Sequence, residues 1–181
     1  MKIAVYLGSN QGKDPEYAEA AGQLGDWIAE QGHTLVYGGA RLGLMNIVAQ
    51  HALEHGGQVI GVMPQFMIAH SRQREDLSEM IITKDMSSRK KKMMDLADAY
   101  IAMPGGPGTL EEISEVISSS RLGLLNMKPC MCLNLSGYYD VLKTMLVQME
   151  NEGFVEKSEL ENVYFPASVK EAAQIIAHVR Q

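Results

Sequence analysis

Short apolar runs alternate with helix-period segments along this whole chain, and most of the runs stop at glycine or proline. Ile3 to Leu7, Thr34 to Tyr37, Val59 to Met63, Glu79 to Thr83, Ala99 to Met103, Cys130 to Leu135 and Val163 to Phe165 read as strands. Between them lie helical patterns over Pro15 to Gln31, Leu44 to His55, Ser88 to Ala97, the stretch after Pro107, Tyr138 to Glu152 and the stretch after Ser168. Apolar residues such as Ala21, Leu24 and Ile28 recur there at helical spacing. Strictly alternating strands and helices predict an α/β fold in three layers, α/β/α, with a mainly parallel sheet. At 181 residues the chain reads as one domain, 1–181, with a sizeable core.

In parallel sheets, ligands bind beyond the carboxyl ends of the strands. That rule puts three turns on one rim: Gly8-Ser9, Gly38-Gly39 and Pro104 to Thr109. The third carries the densest signal, Pro104-Gly105-Gly106-Pro107-Gly108-Thr109-Leu110-Glu111-Glu112. A strand, a glycine-rich turn and a helix start together describe a phosphate cradle. Glycines let the backbone approach an anion, and the helix N-terminus offers free N–H groups and a positive dipole end. Known nucleotide fingerprints do not fit. Glu111 stands where G-x-G-x-x-G needs its third glycine, and Gly8 to Lys13 is one residue short of a P-loop. A second reading stays open: Thr109 and Glu112 have capping-box spacing, with Glu111 simply favouring the dipole.

Arg89-Lys90-Lys91-Lys92 place four cations at a helix start, where the dipole disfavours them. Asp85, Ser87 and Ser88 offer caps that offset part of that cost. Arg89 and Lys90 lie nearest the rim and read as anion ligands, whereas Lys91 and Lys92 read as a solvated face. Residues Gln65 to Leu77, with His70, Arg72 and Arg74, read as an irregular polar segment able to act as a lid. His70 is a candidate acid there or an ordinary loop histidine. His33, His51, His55 and His178 read as surface or helix-end residues.

The net charge of −6 disfavours a broad nucleic-acid surface. Cys130 and Cys132, the only cysteines, share one strand face and read as buried thiols, not a disulfide or a metal site. The opening apolar run is too short for a secretory leader, no run approaches a membrane span, and a reducing cytoplasm is expected. The thirteen methionines read mostly as core filler, some lining an adaptable pocket or dimer face.

Pro104 to Glu112 matches the P-G-G-x-G-T-x-x-E signature, and the chain thereby resembles the LOG ("Lonely Guy") family of cytokinin riboside 5′-monophosphate phosphoribohydrolases. Val5 to Asn10, Leu35 to Gly39, Gly43-Leu44-Met45, Asp85-Met86 with Arg89-Lys90, Gly137 to Asp140 and Glu152-Gly153-Phe154 resemble further family segments in the same order. Three positions depart from the pattern: Ser87 where His is frequent, Asn46 in place of a glycine, and Pro107 where an aromatic residue is common.

The resemblance implies a Rossmann-like homodimer that hydrolyses the N-glycosidic bond of adenosine 5′-monophosphates without metal or organic cofactor. It implies Arg89 and Glu112 as the catalytic pair. Ser9, as part of the Gly-Ser turn, Glu79, Arg89, Lys90, Gly105, Gly106, Gly108, Thr109 and Glu111 are the expected substrate-binding positions. A non-catalytic nucleotide sensor or carrier, and nucleic-acid binding through residues 89–92, are the competing readings. A pyridoxal phosphate decarboxylase, for which the family is often mislabelled, would need a Schiff-base lysine.

Overall fold

The computed structural model describes residues 1–68 and 73–179. Seven strands form one sheet: β1 (Lys2–Tyr6), β2 (Thr34–Tyr37), β3 (Gln58–Pro64), β4 (Glu79–Thr83), β5 (Ala99–Ala102), β6 (Cys130–Cys132) and β7 (Val163–Tyr164). Their order is β4-β3-β2-β1-β5-β6-β7, and every neighbouring pair is parallel. The sheet is covered by α1 (Pro15–Glu30), α2 (Gly43–Glu54) and α7 (Val169–Val179) on one face. On the other face lie α4 (Met86–Leu96), α5 (Pro107–Arg121) and α6 (Asp140–Asn151). A single turn of helix, α3 (Gln65–Ile68), follows β3. The three-layer α/β/α arrangement, Rossmann-like and parallel throughout, is the one expected.

Burial on both faces explains why the central strands are continuous apolar runs rather than alternating ones. Residues 3–6 of β1 and all four of β5 are buried. Alternate side chains of each strand serve opposite cores. Ile3 and Val5 pack with Leu24, Ile28 and Val48, whereas Ala4 and Tyr6 pack with Met93, Ile113 and Val116. Cys130 and Cys132 are free buried thiols in the second core, as their spacing indicates. Burial pushes both up, Cys132 to about 12. No helix among the described residues is long and apolar enough to cross a membrane.

The order in which strands are added reverses at β1, whose neighbours are β2 and β5. Such a switch point splays the loops that follow the two central strands and opens a crevice between them. Here the loops touch at the crevice floor: Met103 N–H donates to the Tyr6 carbonyl at 2.8 Å, and Gly8 N–H to the Pro104 carbonyl at 3.3 Å.

Three local expectations need correction. β6 ends at Cys132, because a 3-10 turn over Leu135–Gly137 takes the chain out of the sheet. The following helix starts at Asp140, not Tyr138, since Ser136 (φ 48°) and Gly137 (φ 72°) adopt left-handed backbone that no right-handed helix can include. His33 is buried and stacks edge-on against Trp27, with ring centroids 5.3 Å apart, rather than lying at the surface. In the segment expected to be irregular, Gln65–Ile68 is helical and Arg74 forms an ion pair with Asp76 at 2.6 Å. His70 and Arg72 lie outside the described residues.

Candidate active site

A cleft of about 450 Å³ opens at the switch point. Its walls are the turn after β1 (Leu7 to Gly12), the start of α2, the start of α4, and the loop from Pro104 into α5. The glycine-rich loop opens α5 without a side-chain cap and lines the cleft. α5 begins at Pro107, with Gly106 as N-cap and no side chain capping it. Thr109 therefore sits inside the first turn, and the capping-box reading fails. Pro107 suits this position because its ring presets φ and its missing N–H would have had no helical partner. The first helical donor is Leu110, to the Gly106 carbonyl at 3.2 Å. The amides of Gly108 and Thr109 precede it in the first turn, without a helical partner, and both residues line the cleft.

Gly105 shows why this loop admits no other residue there. A Cβ on Gly105 would lie 2.2 Å from Thr109 Oγ1 and 3.0 Å from Gly8 N. The two rim loops thus pack backbone to backbone, and Thr109 fills the remaining space.

Opposite the cradle, α4 begins with Asp85 as N-cap, accepting from Ser88 N–H and Ser88 Oγ at 2.8 Å each. That cap offsets the cation-rich first turns. Arg89 points inward and is buried. Its Nε donates to the Val62 carbonyl at 3.1 Å, and its Nη1 donates to Glu112 Oε1 in a short ion pair. The guanidinium passes directly over Gly38: a Cβ there would be 2.6 Å from Arg89 Nη2. The Gly38-Gly39 turn on the predicted rim therefore makes room for the arginine.

Glu112 is buried beside it. Burial pushes its carboxyl above the ordinary value of 4.5, and the facing Arg89 guanidinium opposes that rise. A carboxylate held dry and paired with one fixed cation is poised to stabilise a second positive charge arriving in the cleft, or to orient a water molecule.

The positions expected to bind substrate divide into two groups. Ser9, Gly105, Gly106, Gly108, Thr109, Glu111, Arg89 and Glu112 all line the cleft. Lys90 and Glu79 do not. Lys90 Nζ contacts Glu111 Oε1 at 2.7 Å and Glu115 Oε2 at 2.8 Å, tying α4 to α5. Glu79 opens the edge strand β4, level with Ile60 of β3 and, through the sheet register, with Val36 and Ala4. Three strand spacings, roughly 14 Å, separate β4 from the crevice at β1. A residue that begins a parallel strand also sits away from the rim that its last residue reaches.

Sequence reasoning did not single out Tyr17, Tyr138, Asn10, Met67 or Met86 as cleft residues. Met45, Met67 and Met86 give the cleft an apolar, deformable side facing the polar cradle. Only the excess of methionines hinted at this. Among the described residues no lysine lines the cleft and no cluster of His, Cys, Asp or Glu could hold a metal ion.

The sequence model of a family described as "Possible lysine decarboxylase" matches residues 45–176. The geometry does not fit that description. A Schiff-base lysine would have to enter the cleft, yet Lys90 is held by two carboxylates and Lys91 pairs with Asp95 at 2.8 Å. The relatives carry a different name. The cytokinin riboside 5′-monophosphate phosphoribohydrolase LOG7 of Arabidopsis thaliana is 45% identical over 155 residues, covering 85% of this chain and 70% of the relative. The cytokinin riboside 5′-monophosphate phosphoribohydrolase of Rhodococcoides fascians is 42% identical over 154 residues, covering 84% and 77%.

Among solved structures, a molybdenum cofactor binding protein from Rippkaea orientalis superimposes with a TM-score of 0.76 at 24% identity, covering 99% of this chain and 97% of that one. The Moco carrier protein from Chlamydomonas reinhardtii does so with 0.75 at 22% identity, covering 98% and 95%. At that identity the likeness concerns the fold alone. With its signature loop built into the switch-point cleft and its relatives alike over most of its length, this chain belongs to the LOG family of cytokinin riboside 5′-monophosphate phosphoribohydrolases.

Proposed function

We propose that the protein hydrolyses the N-glycosidic bond of adenosine 5′-monophosphate or its N6-substituted forms, releasing free base and ribose 5-phosphate. The observation that carries this reading is the buried Arg89–Glu112 pair in the wall of the cleft that the uncapped glycine loop also lines. In the reaction the bond between C1′ and the base nitrogen breaks and the electron pair leaves with the base. The ribose becomes cationic, like an oxocarbenium ion, and water adds at C1′. The base takes up a proton, and the water-derived hydroxyl stays on ribose 5-phosphate. Glu112 stabilises the ribose charge and orients the water.

Arg89 holds Glu112 ionised and fixes its direction. The amides around Gly106 and Gly108 take the 5′-phosphate, so binding energy far from C1′ orients the sugar. Met45, Met67 and Met86 supply the apolar side on which a base can lie. Lys90 acts through Glu111 and Glu115 by fixing the two helices, rather than as a free phosphate ligand. The alternative of a non-catalytic sensor or carrier leaves the buried pair without a task. Removing either partner would strand the other charge at a cost of about 3–5 kcal/mol, which holds the pair in place under either reading; its position in the wall of the cleft is what favours the enzyme.

This reading describes a single domain working as a homodimer. Leu122, Leu124, Val141, Met145 and Phe154 are large exposed apolar side chains on and around α5 and α6, which favours a partner surface there. Two free buried thiols agree with a reducing cytoplasm. The test is chromatography of protein incubated with AMP and, separately, isopentenyladenosine 5′-monophosphate. Base and ribose 5-phosphate should appear in equal amounts from at least one of them. No release from either nucleotide, with both still bound, would favour the carrier.

A further inference from the structure

We propose that Tyr138 is a positioning residue that sets the direction of a cradle amide, and so the affinity of the site for an anion. The inference rests on the reading that the cradle holds the 5′-phosphate. The Tyr138 hydroxyl donates to the carbonyl oxygen of Gly105. That carbonyl belongs to the peptide unit joining Gly105 to Gly106, and the unit is trans. In a planar trans peptide the C=O and N–H point in opposite directions. Holding the Gly105 carbonyl towards Tyr138 therefore turns the Gly106 N–H to the other side.

The dihedral angles on both sides of this peptide are those of glycine, which admit either orientation. Both flanking residues are glycine, and Gly106 has open space around its missing side chain. Without a clamp, the carbonyl oxygen and the amide hydrogen could exchange places. The cradle would then show a partial negative charge to an incoming anion.

The fold carries a device for placing this hydroxyl. Tyr138 follows Ser136 and Gly137, both in left-handed backbone, which is strained for a serine. Ser136 is held in that conformation by its hydroxyl, which lies 3.1 Å from Asp14 Oδ2 and also contacts the Glu16 carboxylate. The Tyr138 ring is braced edge-on by Tyr17 at 5.9 Å and Tyr139 at 5.0 Å. Tyr139 in turn donates to the Met103 carbonyl at 2.7 Å. Two consecutive tyrosines thus clasp the loop at residues 103 and 105. Tyr139 is buried and packs in the core, but Tyr138 is 43% exposed, so core burial does not account for it.

The test is Tyr138→Phe, which keeps the ring and removes only the hydroxyl. Ribose 5-phosphate, inorganic phosphate and adenosine are titrated by calorimetry, and the Gly106 amide signal is followed by NMR. In the variant, ribose 5-phosphate and phosphate should bind about tenfold more weakly, a typical loss for one hydrogen bond. Adenosine affinity should be unchanged, the Gly106 signal should shift or broaden, and Tm should stay within about 2 °C. Unchanged phosphate affinity in the variant overturns the inference while leaving the phosphate reading intact. Equal losses for adenosine and ribose 5-phosphate also overturn it, because they mark a general structural role. A parent protein that binds neither phosphate nor ribose 5-phosphate removes the phosphate reading and this inference together.

Discussion

The ion pair of Arg89 and Glu112 turns two ordinary helix residues into a site, and its chemistry depends on both partners being dry. Glu112 alone would be driven towards its neutral form by burial; Arg89 opposes this. Because the carboxyl remains above its ordinary 4.5, the acid limb of kcat/KM should fall above pH 4.5. Activity should rise as pH climbs through that window. The linked stability runs the other way. A raised folded pKa contributes stability that is complete below about pH 4.5 and is lost as pH rises through the folded value. A pH–rate profile with its acid limb at or below 4.5 would show that Glu112 is not the group being titrated.

Arg89 serves two acceptors, the Val62 carbonyl through Nε and Glu112 through Nη1. A lysine has one nitrogen on a flexible stem and cannot reproduce that fork. Arg89→Lys should therefore lower kcat by at least about tenfold although the charge is kept. Steady-state kinetics of the variant checks this; a kcat equal to the parent's would reduce Arg89 to a source of charge. Arg89 stood out as a cation at a helix start, but its pairing with Glu112 was visible only through the family resemblance. Spacing within 104–112 was equally compatible with a capping box, because Thr-x-x-Glu has the same form in both cases. The helix start at Pro107 removes the capping box, and the task of Glu112 comes from a contact with a residue 23 positions away, which no local pattern encodes.

At the scale of elements, the two glycine loops and the starts of α4 and α5 act as one unit. Gly105 is the point of closest packing, and Gly105→Ala forces its methyl onto Thr109 and Gly8. Overpacking of this kind costs typically 1–3 kcal/mol, so Tm should fall by several degrees and phosphate affinity by at least about tenfold. Thermal unfolding and a phosphate titration of the variant measure both; unchanged values in both would mean that the loop relaxes freely. Lys90 joins α4 to α5 through partners that are largely exposed. Lys90→Met should consequently cost no more than about 1 kcal/mol in stability, read as a small change in denaturation midpoint.

The central strands and most helices were legible because burial on both faces leaves an unbroken apolar run, and glycine or proline follows most of the runs. The turn over 134–139 was not. Its apolar and aromatic residues continue the period of α6, and only the left-handed backbone at Ser136 and Gly137 breaks it. Gly137 was the available signal, since a glycine just before a helical pattern is a natural place for positive φ.

For the whole molecule, the topology explains why one rim carries everything: the strand order reverses once, at β1, and the signature loop follows β5 beside it. Strand alternation was enough to predict that rim; Glu79 was expected at the site through the family resemblance alone, and in this chain it opens the edge strand β4 away from the cleft. The homodimer reading predicts that light scattering returns twice the chain mass of 19.9 kDa at micromolar concentration. A mass equal to one chain would contradict it and leave the exposed apolar residues of α5 and α6 unexplained.

The central claim is that Glu112 performs the chemistry and does not merely hold the nucleotide or cap a helix. The most direct measurement pairs turnover with binding on the same preparation of Glu112→Gln. Base release from AMP or its N6-prenylated form should fall by at least about a thousandfold, the scale set by removing a group that stabilises transition-state charge. The nucleotide dissociation constant by calorimetry should stay within a few-fold of the parent's. Base release close to the parent's rate in a variant that folds and binds normally would remove Glu112 from the reaction.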